Sequence, residues 1–399
     1  MSRPGEPGTP AHPGRALAVL CAVFFSAGFL MAALGPVLPE LSVRTGASLA
    51  ALGRLTVAIF AGSIAAQFLA GWASDRFGRR PVLTAGLLLL AAMGGVIALA
   101  TSLRLVLAAS VIYGIGYGAF SLSGNVMTSE LVPERRASAV NLVNMFFGLG
   151  AVVGPLVVSV LLERTGGSLP ALWMGAALLV IAAVVAAVTL PRRLAVTAPA
   201  RPSGAAAAQP PWRDPMLLAC GIFLALYVGS EMAAGTWSAV YLQQSAGMNA
   251  ARSAAATSLF WAALTLGRIG AVVAGMRISD ERLLTVAVWV TCAGGALLWA
   301  GHGSAAASVA AFAVLGFGYG PIYPTGVAVL TSRFPYAAGT ATSLMGVLAA
   351  TGGALLPWSQ GLVLAHRPSV ESAMLTLAVS FAMLAAWECT RRLAHRPAA

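Results

Sequence analysis

The chain contains no lysine and few charged side chains of any kind. Its 24 basic residues are therefore all arginine; it has 12 acidic residues, and charged residues make up 9% of the sequence against 59% hydrophobic residues. A soluble protein of this composition would expose apolar side chains over most of its surface, so the soluble globular class is excluded. The mean hydropathy of +0.85 is typical of a chain that crosses a membrane many times.

Cysteine and histidine are also scarce, with four residues of each. The cysteines fall in four different hydrophobic segments without metal-ligand spacing, so we expect buried apolar thiols and no metal site. The histidines lie in predicted loops or tails, and no nucleophile, base and orienting acid are recognisably gathered. We therefore expect no enzymatic activity, no catalytic residue and no bound cofactor.

Twelve hydrophobic segments are long enough to cross the bilayer, for which about 20 apolar residues suffice. They lie near 16–38, 49–73, 81–101, 104–129, 138–162, 170–190, 216–241, 251–275, 283–301, 305–331, 338–364 and 370–390. This pattern predicts an all-α membrane protein in which both termini lie on the same side.

The arginines indicate the orientation. Seventeen fall on the side that holds the N-terminus and five on the other side. Because cationic loops resist translocation, we expect a multi-pass protein of the plasma (inner) membrane with both termini in the cytoplasm. The net charge of +12 then reflects topology and not nucleic-acid binding, which needs basic residues on one folded face.

Proline-, glycine- and alanine-rich stretches divide the chain. The prediction is a disordered cytoplasmic tail at 1–15, a six-helix half at 16–190, a cytoplasmic linker at 191–215, a second six-helix half at 216–390 and a cytoplasmic tail at 391–399.

The two halves resemble each other in sequence. GIGYGAFSLSGNVMTSELVP from Gly114 aligns without a gap with GFGYGPIYPTGVAVLTSRFP from Gly316, and six of the twenty positions are identical. At the same offset of 202, Pro155 matches Pro357. This repeat predicts a duplicated unit, and hence two pseudo-symmetric six-helix bundles.

A compact charged turn, GWASDRFGRRP at Gly71–Pro81, joins the second and third predicted spans. It resembles the loop signature of the major facilitator superfamily, a family of transporters that hold substrate between two six-helix halves. Gly71 and Gly78 permit close approach and a tight turn, and the arginines could pair with Glu130 or Glu134. A positive-inside anchor is the alternative. The predicted gating residues are Gly71, Asp75, Arg76, Gly78, Arg79, Arg80 and Glu130.

Glu231 is an acidic residue deep within a predicted span. It lies about 16 residues into span seven, roughly 24 Å along a helix that rises 1.5 Å per residue, which places it beyond the midplane. An ionisable group at such a depth is costly and indicates function. Three roles stay open: proton exchange, hydrogen bonding to a polyol or cationic substrate, and a structural pairing with arginine. Arg54 and Arg268 are the basic residues at comparable depth.

Four segments of the second half resemble the fucose and glucose/galactose proton symporters of the same superfamily. They are LYVGSEMAAGTW, SLFWAALTLGRIGA, GPIYPTG and GGALLPWSQG. The resemblance implies a proton-coupled sugar transporter without cofactors, driven by a proton gradient, in which helices one, four, seven and ten line the cavity. The chain has Ser121 where that branch carries an acidic residue, so Glu231 would serve proton coupling alone.

Aromatic and amide side chains complete the predicted site. Sugar rings stack on tryptophan and tyrosine, while their hydroxyls need directed polar partners. The predicted substrate-binding residues are Glu231, Asn125, Trp237, Tyr241, Trp261, Tyr323, Trp358, Gln67 and Gln360. Packing or a place in an interfacial belt is the alternative for each tryptophan.

Two other functions stay open. GLGAVVGP at Gly148–Pro155 partly resembles the helix-five element of the superfamily's drug exporters, which favours efflux of a drug or metabolite by proton antiport. Glycine there also serves close helix packing. A membrane receptor built on a transporter scaffold is the third possibility. The expected partners are a small-molecule substrate and the lipid bilayer, with the chain acting as a monomer.

Overall fold

The computed structural model describes residues 13–192, 214–333, 338–366 and 369–394, and over these ranges the chain is helical with short connections and no strand. The first helices are α1 Pro13–Thr45, α2 Leu49–Leu52, α3 Arg54–Phe77, α4 Arg79–Leu99, α5 Leu103–Leu131, α6 Arg136–Thr165 and α7 Pro170–Thr189. The second series is α8 Pro215–Ala246, α9 Ala250–Gly275, α10 Asp280–Ala300, α11 Ala305–Tyr319, α12 Ile322–Arg333, α13 Ala338–His366 and α14 Val370–Ala394.

The fold class predicted from the sequence is confirmed. Twelve segments of the described chain are long and apolar enough to cross a membrane, because α2 with α3 and α11 with α12 each form one span. In these spans the backbone satisfies its own hydrogen bonds, which the bilayer interior requires. Two predicted spans are interrupted, near Gly53 and at Gly320–Pro321.

Several helices are longer than their predicted spans. The helix α1 continues to Thr45, past the predicted end at 38 and through two prolines, which membrane helices tolerate. The helix α8 continues to Ala246, five residues beyond 241. Glu231 therefore lies at mid-length of α8, and not beyond its middle as the shorter span predicted.

The chain forms two compact units. The first comprises Met1–Ala47 with Ala58–Arg201, and the second comprises Ser48–Val57 with Pro202–Ala399. The segment 48–57, at the start of the second span, thus groups with the second unit. The tail at 1–12, most of the linker at 193–213 and the tail at 395–399 lie outside the described residues.

Corresponding helices pack together in each unit. In the first unit α1 packs on α6, and α4 packs on α5 and α7. In the second unit α8 packs on α13 and α14, while α11 packs on α9 and α10. The cores combine many small and aliphatic side chains, which let the helices approach closely, with buried aromatic rings. The second unit also buries most of the polar residues described next.

Candidate substrate and proton site

The centre of the second unit contains an ion pair. Glu231, in the middle of α8, is 7% exposed. One of its carboxylate oxygens lies 3.6 Å from a guanidinium nitrogen of Arg268 in α9. The arginine side chain is 29% exposed and the glutamate side chain 9%. The pair therefore has a buried acidic end and a more accessible basic end.

Arg268 is unusual among the arginines of the second unit in lying two turns inside its helix. The others that the structure describes lie at or beyond helix ends: Arg54, Arg252, Arg277, Arg282, Arg333, Arg391 and Arg392. A helix end lets an arginine reach the membrane surface, whereas a guanidinium inside a span needs a partner. Glu231 supplies that partner.

Three tyrosines surround the ion pair: Tyr227 on α8, Tyr319 on α11 and Tyr323 on α12. The ring of Tyr227 lies 5.9 Å from that of Tyr319 and 6.3 Å from that of Tyr323, between ring centroids. The buried Tyr227 hydroxyl lies beside both charged groups, yet it has no hydrogen bond of standard geometry within the described chain. We call Glu231, Arg268 and these three tyrosines the central cluster.

An interrupted helix brings the cluster together. The helix α11 ends at Tyr319 and α12 begins at Ile322, with Gly320 and Pro321 between them. A Cβ at Gly320 would lie 2.5 Å from the Leu264 carbonyl oxygen and 2.6 Å from the Arg268 backbone nitrogen, so only glycine permits this contact. Proline lacks the N–H that a continuous helix needs. Transporters commonly place binding sites at such breaks.

Three predicted binding residues line a small cavity in the second unit, which borders the central cluster at Tyr319. Trp237, Tyr241 and Gln360 enclose it together with Ser230 and Tyr319. The cavity has a volume of about 30 Å³. That volume holds about two water molecules and not a sugar.

Hydrogen bonds fix two of these side chains. The Trp237 indole donates to the Pro357 carbonyl oxygen at 2.7 Å, which ties α8 to α13. The Gln360 amide donates to the Ser372 hydroxyl at 2.6 Å, which ties α13 to α14. Both contacts stabilise helix packing. The predicted role of these residues in substrate binding stays a prediction.

The remaining aromatic residues of the prediction differ in exposure. Tyr323 is 40% exposed and belongs to the central cluster. Trp261 is buried, and a Cβ at Gly235 would lie 2.6 Å from its ring. Trp358 is half-buried in α13. The indole nitrogens of both tryptophans have no hydrogen-bond partner within the described residues.

The other two predicted binding residues lie in the first unit. The Asn125 amide donates to the Ser121 carbonyl at 2.8 Å, and its oxygen accepts from the Asn144 amide at 3.0 Å, which links α5 to α6. Gln67 lies on α3 with an exposed side chain. Asn144 is a polar partner that the sequence prediction did not include.

The predicted gating turn contains a network between helix ends. Arg79 lies 3.2 Å from Glu130. Arg80 donates to the Leu190 carbonyl at 3.0 Å, beyond the end of α7. Gly78 has a φ of 96°, which favours glycine at this turn.

Three further predicted gating residues differ in how much the structure shows. The Arg76 guanidinium lies 5.6 Å from the ring centroid of Trp72. A Cβ at Gly71 would meet nothing within 4 Å among the described atoms, so close packing does not require that glycine. The Asp75 side chain lies outside what the structure describes.

The sequence prediction missed Tyr227 and Tyr319, and it named Arg268 only as one of two arginines at a depth comparable to that of Glu231. A signal was present in the spacing, because Tyr227 precedes Glu231 by four residues and Tyr319 precedes Tyr323 by four. Residues four apart lie on the same face of a helix.

Twelve spanning helices built as a repeated unit, with a charged cluster beside an interrupted helix, define a secondary transporter of small solutes. The chain belongs to the Major Facilitator Superfamily, whose family model matches residues 20–357. It is therefore a membrane transporter and not an enzyme.

Solved transporters share the fold. The nucleoside transporter NupG matches with a TM-score of 0.75 at 13% identity, over 97% of this chain and 100% of that chain. A bacterial homologue of the lysosomal transporter Spinster gives 0.78 at 14%, over 96% and 98%. A variant of the E. coli fucose:proton symporter FucP gives 0.66 at 17%, over 96% and 100%. At these identities the likeness shows the fold alone.

Curated relatives match in sequence over parts of the chain. The 4-hydroxybenzoate transporter PcaK of Pseudomonas aeruginosa is 31% identical over 178 residues, which is 44% of this chain and 39% of PcaK. The chain thus spans about two fifths of that relative. A transporter of the same superfamily from Yersinia pestis is 28% identical over 310 residues, 75% of this chain and 76% of that protein.

Proposed function

We propose that the chain moves a sugar or a similar small polar solute across the inner membrane by alternating access, with proton coupling at Glu231. The observation that carries the proposal is the ion pair of Glu231 and Arg268 beside the break at Gly320–Pro321. The pair combines a titratable carboxylate with an accessible cation at mid-helix in the second unit, and transporters of this kind hold their solute near the middle of the membrane.

The ion pair can convert proton binding into a change of solute affinity. With Glu231 ionised, the pair is neutral overall. A proton on Glu231 removes its charge and leaves the Arg268 guanidinium to interact with another group. An isolated charge inside a span is costly, so protonation and solute binding are favoured together.

Two relatives support parts of this proposal. FucP is a fucose:proton symporter, and PcaK is a 4-hydroxybenzoate transporter. Both names refer to small polar solutes. The resemblance of LYVGSEMAAGTW to the sugar symporter branch supports Glu231 as the proton-binding group.

We further propose that the turn between α3 and α4 acts as a gate on the cytoplasmic side. The pair of Arg79 and Glu130 and the bond from Arg80 to the Leu190 carbonyl join the ends of α4, α5 and α7. Such contacts between helix ends can form in one conformation and break in another. The distribution of arginines supports a cytoplasmic position for this turn and for both termini.

Efflux by proton antiport is a weaker alternative. Its support in the sequence is GLGAVVGP, and two glycines of this element have a structural explanation. A Cβ at Gly150 or Gly154 would collide with the carbonyl oxygen of Phe25 or Phe29 in α1. These glycines permit close packing of α1 on α6, a requirement that applies to importers and exporters alike.

Transport by purified protein in liposomes tests the proposal. The panel contains sugars, sugar acids, polyols and lipophilic cations, and an inward proton gradient supplies the driving force. The test variant is Glu231→Gln. The matched control is Glu388→Gln, which removes the carboxylate of an exposed glutamate–arginine pair in the same unit.

We expect the wild type and the control to accumulate a polar solute and Glu231→Gln to lose accumulation. The variant should still exchange labelled solute across the membrane without a gradient. Accumulation by Glu231→Gln with unchanged pH dependence would overturn the coupling assignment. Outward pumping of lipophilic cations by the wild type would support efflux instead.

A further inference from the structure

The central cluster is rich in hydrogen-bond donors, because it contains a guanidinium and three tyrosine hydroxyls. Its carboxylate, Glu231, is already engaged with Arg268. The guanidinium carries five N–H donors and has no acceptor. The Tyr227 hydroxyl is fully buried beside both charged groups and has no hydrogen bond of standard geometry in the part of the chain that the structure describes. A neutral polyol needs acceptors as well as donors, whereas a carboxylate needs donors alone.

The charge balance also favours an anion. With Glu231 ionised, an incoming carboxylate would give the buried site a net negative charge, which is costly inside the membrane. With Glu231 protonated, the same carboxylate would form a neutral pair with Arg268. The guanidinium is well suited to this exchange, because it is the more exposed partner and binds carboxylates through two parallel hydrogen bonds.

We propose that the solute of the central cluster is a small organic acid, whose carboxylate replaces Glu231 as the partner of Arg268 while Glu231 takes up one proton. This inference rests on the proposed function and narrows its substrate class. The exposed ring of Tyr323 provides an aromatic face for a cyclic acid.

One proton then accompanies each acid. Binding should weaken by about tenfold for each unit of rising pH over the range where free Glu231 is ionised, because one proton is taken up per acid bound. The titratable groups that face Glu231 are Arg268 from α9, Tyr227 on α8 itself, Tyr319 from α11 and Tyr323 from α12.

The other helices packed on α8 contribute apolar contacts. From α13, Gly352 and Leu356 lie against α8, and from α14 the ring of Trp387 packs on Phe223. Arginine stays protonated and tyrosine ordinarily titrates near pH 10. Glu231 is the carboxylate among these groups, so the proton taken up with the acid is assigned to it.

Equilibrium binding to the full chain in lipid nanodiscs tests the inference. The probes are benzoate against benzamide and glucuronate against glucose, because each pair shares its ring and differs mainly in the carboxylate. The variants are Arg268→Gln and Glu231→Gln, with Arg252→Gln as the control, since Arg252 is an exposed arginine on the same helix. Affinity is measured from pH 5.5 to 7.5.

We expect at least one acid to bind about tenfold or more tightly than its neutral partner. Arg268→Gln should abolish the preference, and Arg252→Gln should retain it. Glu231→Gln should bind the acid with a flat pH profile. The double variant Glu231→Gln/Arg268→Gln, which leaves no unpaired charge, should fold and bind no acid, so that loss of binding is separated from misfolding.

Three results would overturn the inference: equal binding of acid and neutral partner, binding of neither acid, or acid binding that survives Arg268→Gln. If glucose accumulates in liposomes through Glu231 while neither acid binds, the inference fails and the proposed function stands. If an acid binds with the expected pH profile but no solute accumulates under a proton gradient, the proposed function fails and the acid site stands.

Discussion

The two six-helix units differ in where their ion pairs lie along the helices. In the first unit Arg79 and Glu130 lie at helix ends, with side chains 22% and 13% exposed. In the second unit Glu231 and Arg268 lie inside their helices. The two pairs are buried to a similar degree, since the Glu231 and Arg268 side chains are 9% and 29% exposed, and they differ in where they lie along their helices. A pair at helix ends can fasten the turn, whereas a pair at mid-helix can change charge during transport.

One repeated helix also differs between the two units. The helix α5 runs unbroken through Leu103–Leu131, while its counterpart at the offset of 202 is split into α11 and α12. Ala119 stands in α5 where Pro321 interrupts the second copy, and Ser121 stands where Tyr323 joins the central cluster. A few substitutions on a duplicated helix therefore distinguish a continuous scaffold from a polar site.

Neutralising the arginine of each ion pair should have the largest effect on the free energy of unfolding. This effect should also differ most between the two units. Arg268→Gln leaves Glu231 buried without its partner, and we expect a loss of about 3–5 kcal/mol in the free energy of unfolding. Arg79→Gln should cost less, about 1–2 kcal/mol, because its partner Glu130 lies at the end of a helix and not at its middle. Denaturation in nanodiscs measures both.

The double variant Glu231→Gln/Arg268→Gln tests whether the unpaired charge causes the loss of stability. Removal of both charges should restore most of the stability, because it removes the unpaired group. Equal destabilisation by Arg79→Gln and Arg268→Gln would contradict the distinction between the units.

Filling the break beside the central cluster should have an intermediate effect. Gly320→Ala places a methyl group against the backbone of Leu264 and Arg268, and we expect about 1–3 kcal/mol of destabilisation. Gly346→Ala, in α13 with open space at its Cβ, is the control and should stabilise by up to about 1 kcal/mol. If Gly320→Ala leaves the free energy of unfolding unchanged, close packing does not hold the break.

Removing the bond between α8 and α13 should have a smaller effect. Trp237→Phe leaves the Pro357 carbonyl without the indole donor, and we expect a loss of about 1 kcal/mol. Thermal unfolding and solute affinity are measured together. Weaker affinity at unchanged stability would place the solute against the indole, as the sequence predicted.

The gating turn should change kinetics more than affinity. Because the pair of Arg79 and Glu130 joins helix ends far from mid-span, Arg79→Gln should slow or speed solute exchange across the membrane with little change in binding. Exchange and equilibrium binding of the same solute separate these effects. A large loss of binding at normal exchange would contradict a gating role.

Much of the fold could be predicted from the sequence, because length and hydropathy determine which segments span a bilayer. The twelve spans follow from hydropathy, and the repeat follows from the sequence match between the two halves. The ends of α1 and α8 did not, since polar residues such as Glu40 and Gln243 continue the helices beyond the apolar core. The break at Gly320–Pro321 lay inside a segment that hydropathy alone read as continuous.

The candidate site was predictable in part. Glu231 was identified because a lone acid in an apolar span is costly. Its pairing with Arg268 depends on how α8 and α9 align, which hydropathy does not encode. Tyr227 and Tyr319 were missed because buried tyrosines most often serve packing, and their grouping around one carboxylate is a property of three helices together.

The central claim is that the charge of Glu231 couples solute movement to protons. The most direct test measures protons moved per solute in liposomes that contain a pH-sensitive dye, with each panel solute that the wild type transports. We expect one proton per solute for the wild type and for Glu388→Gln. For Glu231→Gln we expect solute exchange without proton movement. An unchanged ratio of protons to solute in Glu231→Gln would contradict it.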